Sequence, residues 1–145
     1  MPKIVKKTVQ KLKKELDTIF SRYIRLKYAD ANGYVQCFTC GRMYFWKEIQ
    51  NGHYVRREYN ATRYHEKNCH PQCVGCNMFK AGNMDEYTLN LVKKYGKGIL
   101  EELNALKHTI KQFTCEELEE LKKKYKGLTK QWEDNPKKQE PPIPF

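Results

Sequence analysis

The sequence predicts an α+β protein in which a short metal-stapled segment of strands lies between a long N-terminal helix and a helical C-terminal region. Three observations indicate this fold. Apolar residues recur at helical spacing near both ends, two strand-like stretches flank a turn in the middle, and two cysteine pairs bracket that middle segment. At 145 residues the chain is one domain's worth of sequence. We expect four segments: 1–31 (basic helix), 32–83 (strands and cysteines), 84–133 (helices) and 134–145 (tail).

The N-terminal segment carries one apolar seam. From Val5 to Leu26 the apolar residues alternate in steps of four and three, which indicates a helix that ends before Asn32-Gly33. The seam fits a helix docked on its own domain or a self-associating coiled coil. Tyr23 within it favours the first interpretation. The second, together with a similar seam from Leu118 to Trp132, underlies our expectation of a homodimer.

The middle segment contains the stretch YVQCFTCGRMYFW, residues 34–46. We predict two short strands joined by a turn that carries Cys37 and Cys40. Its aromatic residues fit packing on the hairpin better than stacking on nucleic-acid bases: Tyr44, Phe45 and Trp46. A short helix is predicted to open between Cys73 and Lys80, where Gly75 is the only helix breaker.

Beyond Gly82-Asn83 the pattern becomes helical again. We predict one helix from Met84 to Tyr95, a second along Ile99 to Phe113, and a third along Leu118 to Trp132. Thr114 and Glu117 have the spacing of a capping box at the start of the third. The tail NPKKQEPPIPF has four prolines in eleven residues, and we expect it to be extended or disordered.

The chain is strongly basic, with a formal charge of +11 at pH 7. Six lysines precede the first acidic residue, Glu15. Such an excess favours a polyanionic partner, foremost nucleic acid, although an anionic membrane or simple solubility also fits. No stretch approaches the ~18 apolar residues of a membrane span, and no apolar signal core follows the N-terminus. We therefore expect a soluble, intracellular protein, with nucleic acid and not a membrane as its partner.

The cysteine pairs indicate a structural zinc site. Cys37-x2-Cys40 and Cys73-x2-Cys76 are separated by 32 residues, and each pair can present two thiolates from a tight turn. Two unrelated pairs of buried or disulfide-bonded cysteines are the alternative, which a reducing compartment disfavours. Cys69 and Cys115 fall outside the spacing and are expected to be spare thiols. Four thiolates leave no open coordination position, so any chemistry must lie elsewhere.

The order of residues around the cysteines resembles a nuclease motif. GHYVRR contains a histidine between the two pairs, and NCHPQCVGCNMFK contains two asparagines and a lysine. The order CxxC…H…N…CxxC(H/N)xxK resembles the zinc-bearing HNH, or ββα-metal, nucleases. The stretches FSRYIRLKYADANGYVQCFTCG, NGHYVRR and TRYHEKNCHPQCVGCNMFKAGN are similar to the phage NinG/Rap recombination endonucleases, over Phe20 to Tyr95. This resemblance implies an HNH-like module at 32–83, in a phage-encoded protein of the host cell that cuts branched DNA such as D-loops and Holliday-type junctions.

The resemblance also implies roles for individual residues. His53 takes the place of the general base, and Asn77 that of a ligand to a catalytic divalent ion, Mg²⁺ or Mn²⁺. Asn68 takes the place of the asparagine that orients the loop and the base. Lys80 takes the place of the lysine that faces the phosphate.

One position departs from the general pattern, because Gly52 stands where many HNH enzymes have a metal-binding Asp before the histidine. The second ligand must then come from elsewhere in the motif. His70 is preferred, since it lies two residues past Asn68 and imidazole suits a borderline divalent ion. The other candidates are His65, Glu66 and Glu58.

Each candidate also has a structural interpretation. A lone His53 is more often a surface or core residue, Asn77 fits a helix cap, and Lys80 fits a solvated charge. Three arginines are expected to face DNA, although scattered arginines are common on basic surfaces: Arg56, Arg57 and Arg63. Two rival functions stay open, an HNH endonuclease that nicks ordinary duplex DNA and a non-catalytic zinc module that binds DNA.

Overall fold

The computed structural model describes residues 6–134, and in this part of the chain helices surround two small antiparallel sheets. The helices in chain order are α1 (Val9–Lys27), α2 (Asn60–Arg63), α3 (Met84–Tyr95), α4 (Gly98–Lys107) and α5 (Cys115–Asp134). The strands are β1 (Tyr34–Gln36), β2 (Met43–Phe45), β3 (Gln50–His53) and β4 (Cys69–Gln72). The mixed helix and sheet composition agrees with the predicted class.

The apolar seam of α1 packs against α5 of the same chain. Leu16 and Phe20 are fully buried in this core together with Leu118 and Tyr125 of α5. The rings of Phe20 and Tyr125 meet edge to face at 4.8 Å between centroids, a favoured aromatic geometry. The seams of the first and last helices therefore cover each other within one chain. A homodimer stays a prediction, but it would need another surface.

The start of α5 has the predicted capping box. The Thr114 hydroxyl accepts a hydrogen bond from the Glu117 backbone N–H at 3.1 Å. The Glu117 carboxylate accepts one from the Thr114 N–H at 3.2 Å. Two backbone donors that the helix leaves unpaired are thus satisfied reciprocally.

The second C-terminal helix is shorter than predicted. The third predicted helix, along Leu118 to Trp132, is found as α5. The second, α4, ends at Lys107, and Ile110 lies beyond it with 93% of its surface exposed. The apolar spacing continued because Phe113 packs from the following loop against Tyr64, at 5.5 Å between ring centroids. Phe113 thus has the spacing of a helical residue, but it packs against the core from a loop.

The middle segment folds as two strand pairs. β1 and β2 form the predicted hairpin, with Val35 opposite Tyr44, and Tyr44 and Trp46 pack against its core. β3 and β4 form a second pair, with His53 opposite Cys69. The helix predicted near Cys73 is a π-helical turn at Gly75–Phe79.

α5 ends at Asp134, and the rest of the proline-rich tail lies outside the described residues, as does Val5 of the predicted seam. None of the described helices combines the length and the apolar character that crossing a bilayer requires.

Candidate active site and metal centre

The two predicted cysteine pairs come together in the structure. The turn between β1 and β2 supplies Cys37 and Cys40, and the end of β4 with the π-helical turn supplies Cys73 and Cys76. All four sulfur atoms lie within 4.8 Å of one another. Cys40 is half-buried and the other three are buried. Four thiols in this arrangement could hold a structural metal ion such as zinc.

Backbone N–H groups of the cluster cysteines themselves donate to its sulfur atoms. The Cys73 N–H donates to the sulfur of Cys37 at 3.3 Å, and the Cys76 N–H donates to that of Cys73 at 3.4 Å. Burial raises the pKa of the Cys40 thiol to about 12. A bound cation would oppose this effect by stabilising thiolates, so metal binding would release protons.

The two remaining cysteines lie outside the cluster, as predicted. Cys69 is fully buried in the α1–α5 core, where its thiol contacts the Arg63 carbonyl at 3.6 Å. Cys115 is half-buried at the start of α5. Neither contributes a sulfur to the cluster.

A cavity of about 600 Å³ opens between α1, β3 and the π-helical turn. Among the residues that line it are His53, Asn77, Arg56 and Arg57, all of which the sequence singled out. Asp17 of α1 also lines it. The cavity therefore joins a candidate base, a candidate metal ligand and two cationic side chains.

The imidazole of His53 is held in one orientation. Its Nε2 lies 2.9 Å from the backbone oxygen of Arg63. Because a carbonyl oxygen can only accept, Nε2 carries the hydrogen and Nδ1 keeps its lone pair. Burial lowers the pKa of His53 to about 4, so the ring is neutral at pH 7. A neutral ring with a lone pair on Nδ1 can accept a proton.

Asn68 braces the loop that follows His53. It is fully buried, and its Oδ1 accepts from the Val55 N–H at 2.7 Å. Its Nδ2 donates to the carbonyls of Val55 at 3.0 Å and Thr62 at 3.1 Å. The Asn68 side chain thus joins the start of the loop after β3 to α2. Asn68 itself is not among the residues that line the cavity.

Asp17 is the residue that sequence reasoning missed. Its carboxylate receives two bonds from the Arg63 guanidinium, at 2.9 Å from Nε and 2.5 Å from the terminal nitrogen. This pair ties α1 to the residue whose carbonyl holds His53. Arg63, expected to face DNA, is therefore half-buried and engaged within the chain. Arg56 and Arg57 are exposed, and they pair with Glu58 at 3.1 Å and with Asp17 at 3.7 Å. No local pattern distinguishes an acid that acts on a partner 46 positions away.

Asn77 and Lys80 have different surroundings. The Asn77 Nδ2 donates to Gln50 Oε1 at 2.9 Å, which leaves its own amide oxygen available to a cation. Amide and carboxylate oxygens suit Mg²⁺ and Mn²⁺. Asp17 carries the only carboxylate among the described residues that line the cavity, and both of its oxygens accept from Arg63. Lys80 is exposed and is not among the lining residues.

His70, preferred from sequence as the second metal ligand, is not brought to the cavity. It is fully buried, stacks on Phe38 at 4.0 Å between ring centroids, and its pKa is lowered by burial. Tyr87 donates its hydroxyl hydrogen to the Gly52 carbonyl at 2.7 Å, so His70 Nδ1 donates to the Tyr87 oxygen at 3.1 Å. His70 Nε2 then accepts from Tyr95 at 2.8 Å. The imidazole therefore links β4 to α3, and Tyr87 in turn bonds β3, the strand that carries His53.

The other candidates for the second ligand do not line the cavity either. Glu66 accepts hydrogen bonds from Tyr23 and Lys27, Glu58 pairs with Arg56, and the His65 ring accepts from the Lys67 N–H. In the cavity Asn77 therefore offers one amide oxygen to a divalent ion, and the other oxygen ligands would have to come from further lining residues, water or phosphate.

Gly52 is explained by the packing of Gln72. A Cβ at position 52 would lie 1.9 Å from Gln72 Oε1 and 2.6 Å from its Cδ. Gln72 is fully buried and donates to Thr39 at 3.1 Å and to the Gly82 carbonyl at 2.8 Å, so it cannot swing away without losing both bonds. Gln72 therefore fills the space that an aspartate side chain at position 52 would need.

Replacing a cluster cysteine should remove metal and fold together. In Cys76→Ser we expect bound metal to fall below about a tenth of the wild-type level, with loss of cooperative unfolding, because a structural ion contributes folding free energy directly. Metal analysis and circular dichroism measure both. Cys115→Ser, outside the cluster, is the matched control. Folded protein that contains no metal would contradict this prediction.

Adding one methyl group at position 52 should destabilise the fold. We expect Gly52→Ala to lower the free energy of unfolding by about 1–3 kcal/mol, since the methyl group displaces a buried side chain. Urea denaturation measures the change. In Gly127→Ala the new methyl group meets nothing within 4 Å, and a neutral or stabilising effect is expected. Equal effects of the two substitutions would count against the packing explanation.

Comparison with known proteins places the chain among bacteriophage proteins. Protein ninG of Escherichia phage 933W is 32% identical over 95 residues, which cover 65% of this chain and 46% of that protein. Protein ninG of Salmonella phage P22 is 30% identical over 100 residues, 68% of this chain and 48% of the relative. The chain thus spans about half the length of these curated relatives.

A match to a family model extends further along the chain. The model described as "Bacteriophage Lambda NinG protein" matches residues 2–135, which include every residue of the cavity and the cysteine cluster. No solved structure matches the chain. Because the family model covers nearly all of the sequence, the chain belongs to the NinG family.

Proposed function

We propose that this protein is a metal-dependent DNA endonuclease of the HNH type that cleaves phosphodiester bonds in branched recombination intermediates. One observation carries the proposal: a neutral His53, held by a backbone carbonyl with Nδ1 free, shares a cavity with Asn77 and two exposed arginines. A base, a ligand for a divalent ion and cations for phosphate are the groups that such a hydrolysis requires.

In this proposal each residue of the cavity has a separate role in the reaction. His53 Nδ1 accepts a proton from the attacking water, and the Arg63 carbonyl keeps the ring in position as the charge develops. Arg56 and Arg57 contact phosphate oxygens. Asn77 holds Mg²⁺ or Mn²⁺, which when bound stabilises negative charge on the phosphate. Lys80, exposed at the next turn, contacts the DNA backbone outside the cavity.

The four cysteines have a separate role. We assign zinc to them, because a closed tetrahedron of thiolates is the usual structural zinc site. Zinc with four sulfur ligands has no position for water, so it supports the fold and the π-helical turn that carries Asn77. The two metal sites should therefore respond differently to chelators and to substitution.

The choice of DNA and of branched substrates rests on two supports. The net charge of +11 suits a polyanion, and sequence-independent phosphate contacts follow from it. Branched DNA follows from the family resemblance at Phe20 to Tyr95, and with it a place of action in the host cytoplasm. The deciding experiment compares cleavage of a labelled four-way junction and of linear duplex with the same sequence, with Mg²⁺, Mn²⁺ or neither. Equal cleavage of both would favour the nicking of ordinary duplex, and binding without cleavage would favour a zinc module that only binds DNA.

Loss of the base should abolish cleavage and spare binding. In His53→Ala we expect kcat to fall about 100- to 10,000-fold, because proton abstraction from water is lost. Affinity for the junction should stay within a few-fold, since it comes from many lysine and arginine contacts. His108→Ala, a substitution of an exposed histidine after α4, is the matched control. Full activity of His53→Ala would overturn the proposed mechanism.

Loss of the metal ligand should be rescued in part by more metal. Asn77→Ala should reduce cleavage at low metal concentration, and raised Mn²⁺ should restore part of the activity because the base is still present. Titration of Mn²⁺ against cleavage rate gives the apparent metal affinity of each variant. Asn104→Ala, an exposed asparagine of α4, serves as control. A rate that stays low at every Mn²⁺ concentration would argue for a different role of Asn77.

The pH profile should report the lowered pKa of His53. The neutral ring is the active form, so lowering its pKa extends activity towards lower pH. We expect kcat/KM to stay constant from about pH 8 to about pH 5.5, whereas a histidine with its ordinary pKa near 6.5 would lose about tenfold over that range. Rates in overlapping buffers at fixed Mg²⁺ measure it. A tenfold fall centred near pH 6.5 would show that burial does not control the base.

A further inference from the structure

Two apolar side chains at the tip of the π-helical turn project into solvent. Phe79 is 86% exposed and its neighbour Met78 is 63% exposed. By contrast, Phe20 and Phe38 are buried in the core. An aromatic ring that stays in water contributes little to folding, because burial of apolar surface is what stabilises. The position of Phe79 therefore calls for an explanation outside the fold.

The backbone holds this tip firmly. The Lys80 N–H donates to the Gly75 carbonyl at 2.9 Å, which closes the π-helical turn, and the Gly82 N–H donates to the Cys76 carbonyl at 2.9 Å. Ala81 and Asn83 adopt left-handed conformations, with φ of 48° and 47°. Cys76 belongs to the sulfur cluster, so the tip is anchored at its base. Phe79 is thus presented on a preorganised turn.

The tip stands at the edge of the candidate active site. Met78 lines the cavity that also contains His53 and Asn77, and Phe79 is the next residue along the chain. Lys80 follows it and is exposed, while Arg56 and Arg57 of the cavity wall add positive charge. An apolar surface beside several cations matches a ligand that combines flat apolar faces with phosphates.

DNA bases have such faces, but an intact duplex covers them by stacking each base on its neighbours. Bases at a branch point, or without a partner, leave a face free for an aromatic side chain. Resting on the endonuclease activity proposed above, we propose that Phe79 and Met78 stack on an unpaired base next to the phosphate in the cavity. Stacking there would favour branched over linear DNA without reading its sequence.

Binding measurements without added Mg²⁺ or Mn²⁺ test this platform apart from cleavage. The probes are a labelled junction with one unpaired thymine at the branch and a linear duplex of the same arm sequence. Phe79→Ala should weaken junction binding about tenfold, the usual scale for one stacked base, and change duplex binding less than about twofold. Phe79→Trp, which keeps an aromatic face, should retain the preference for the junction.

Ile110→Ala is the matched control, since Ile110 is also an exposed apolar side chain but lies on the loop after α4. It should leave both affinities unchanged. Thermal unfolding of each variant checks that the fold is intact. An equal loss on both substrates, or no loss on either, would overturn the proposal, and no loss would leave the exposed tip to a protein partner.

The two proposals fail in different ways. If the wild-type protein shows junction preference that depends on Phe79 but cuts nothing with any metal, stacking stands and the nuclease assignment falls. If it cuts DNA while Phe79→Ala keeps full junction preference, only the stacking platform falls. Photo-crosslinking of 5-iododeoxyuridine at the unpaired position adds a direct readout, because the crosslink should map to Phe79 in the wild-type protein.

Discussion

Four sulfur atoms drawn within 4.8 Å of one another determine how the middle of this chain is arranged. The hairpin turn and the end of β4 are far apart in sequence, and neither strand pair alone is long enough to be stable in water. An ion shared by both would fix them as one body. Asn77 follows the last cysteine directly, so the position of a candidate ligand on one wall of the cavity is set by the same cluster.

The opposite wall depends on α1. This helix uses its apolar face to bind α5, and a polar position on it, Asp17, binds Arg63 at the end of α2. Asn68 then joins Val55, just after β3, to Thr62 of α2. The imidazole of His53 is consequently held by the Arg63 carbonyl directly, and by Asp17 and Asn68 through the segment that carries this carbonyl. A candidate base held in this way has little freedom to rotate, which lowers the cost of reaching a reactive geometry.

Much of the fold was predictable because local signals agreed with the tertiary structure. The cysteine spacing, the capping box at Thr114 and the helix from Met84 to Tyr95 all belong to this group. The end of α4 was not, because apolar spacing does not reveal which residue packs from a loop. β3 and β4 were also missed, since QNGH and CHPQ lack the β-branched residues that usually indicate strands.

The residues of the candidate site were also predictable from the sequence only in part. Motif order identified His53 and Asn77, which share the cavity. It could not show that both ring nitrogens of His70 are hydrogen-bonded to tyrosines, or that Gln72 fills the space beside Gly52. These outcomes depend on contacts between elements that no single stretch encodes. Sequence therefore identified candidate residues that lie together in the structure, while the internal hydrogen bonds decided which of the candidates remain free of partners within the chain.

The acceptor that orients His53 belongs to the backbone of residue 63 and not to a side chain. Every amino acid carries that carbonyl, so mutation at position 63 can alter the support from Asp17 but cannot delete the acceptor itself. Substitutions at these positions would then weaken the side-chain support of this segment, while the backbone acceptor would still fix the tautomer of the ring. An imidazole anchored in this way would keep its orientation while the side chains around it are exchanged.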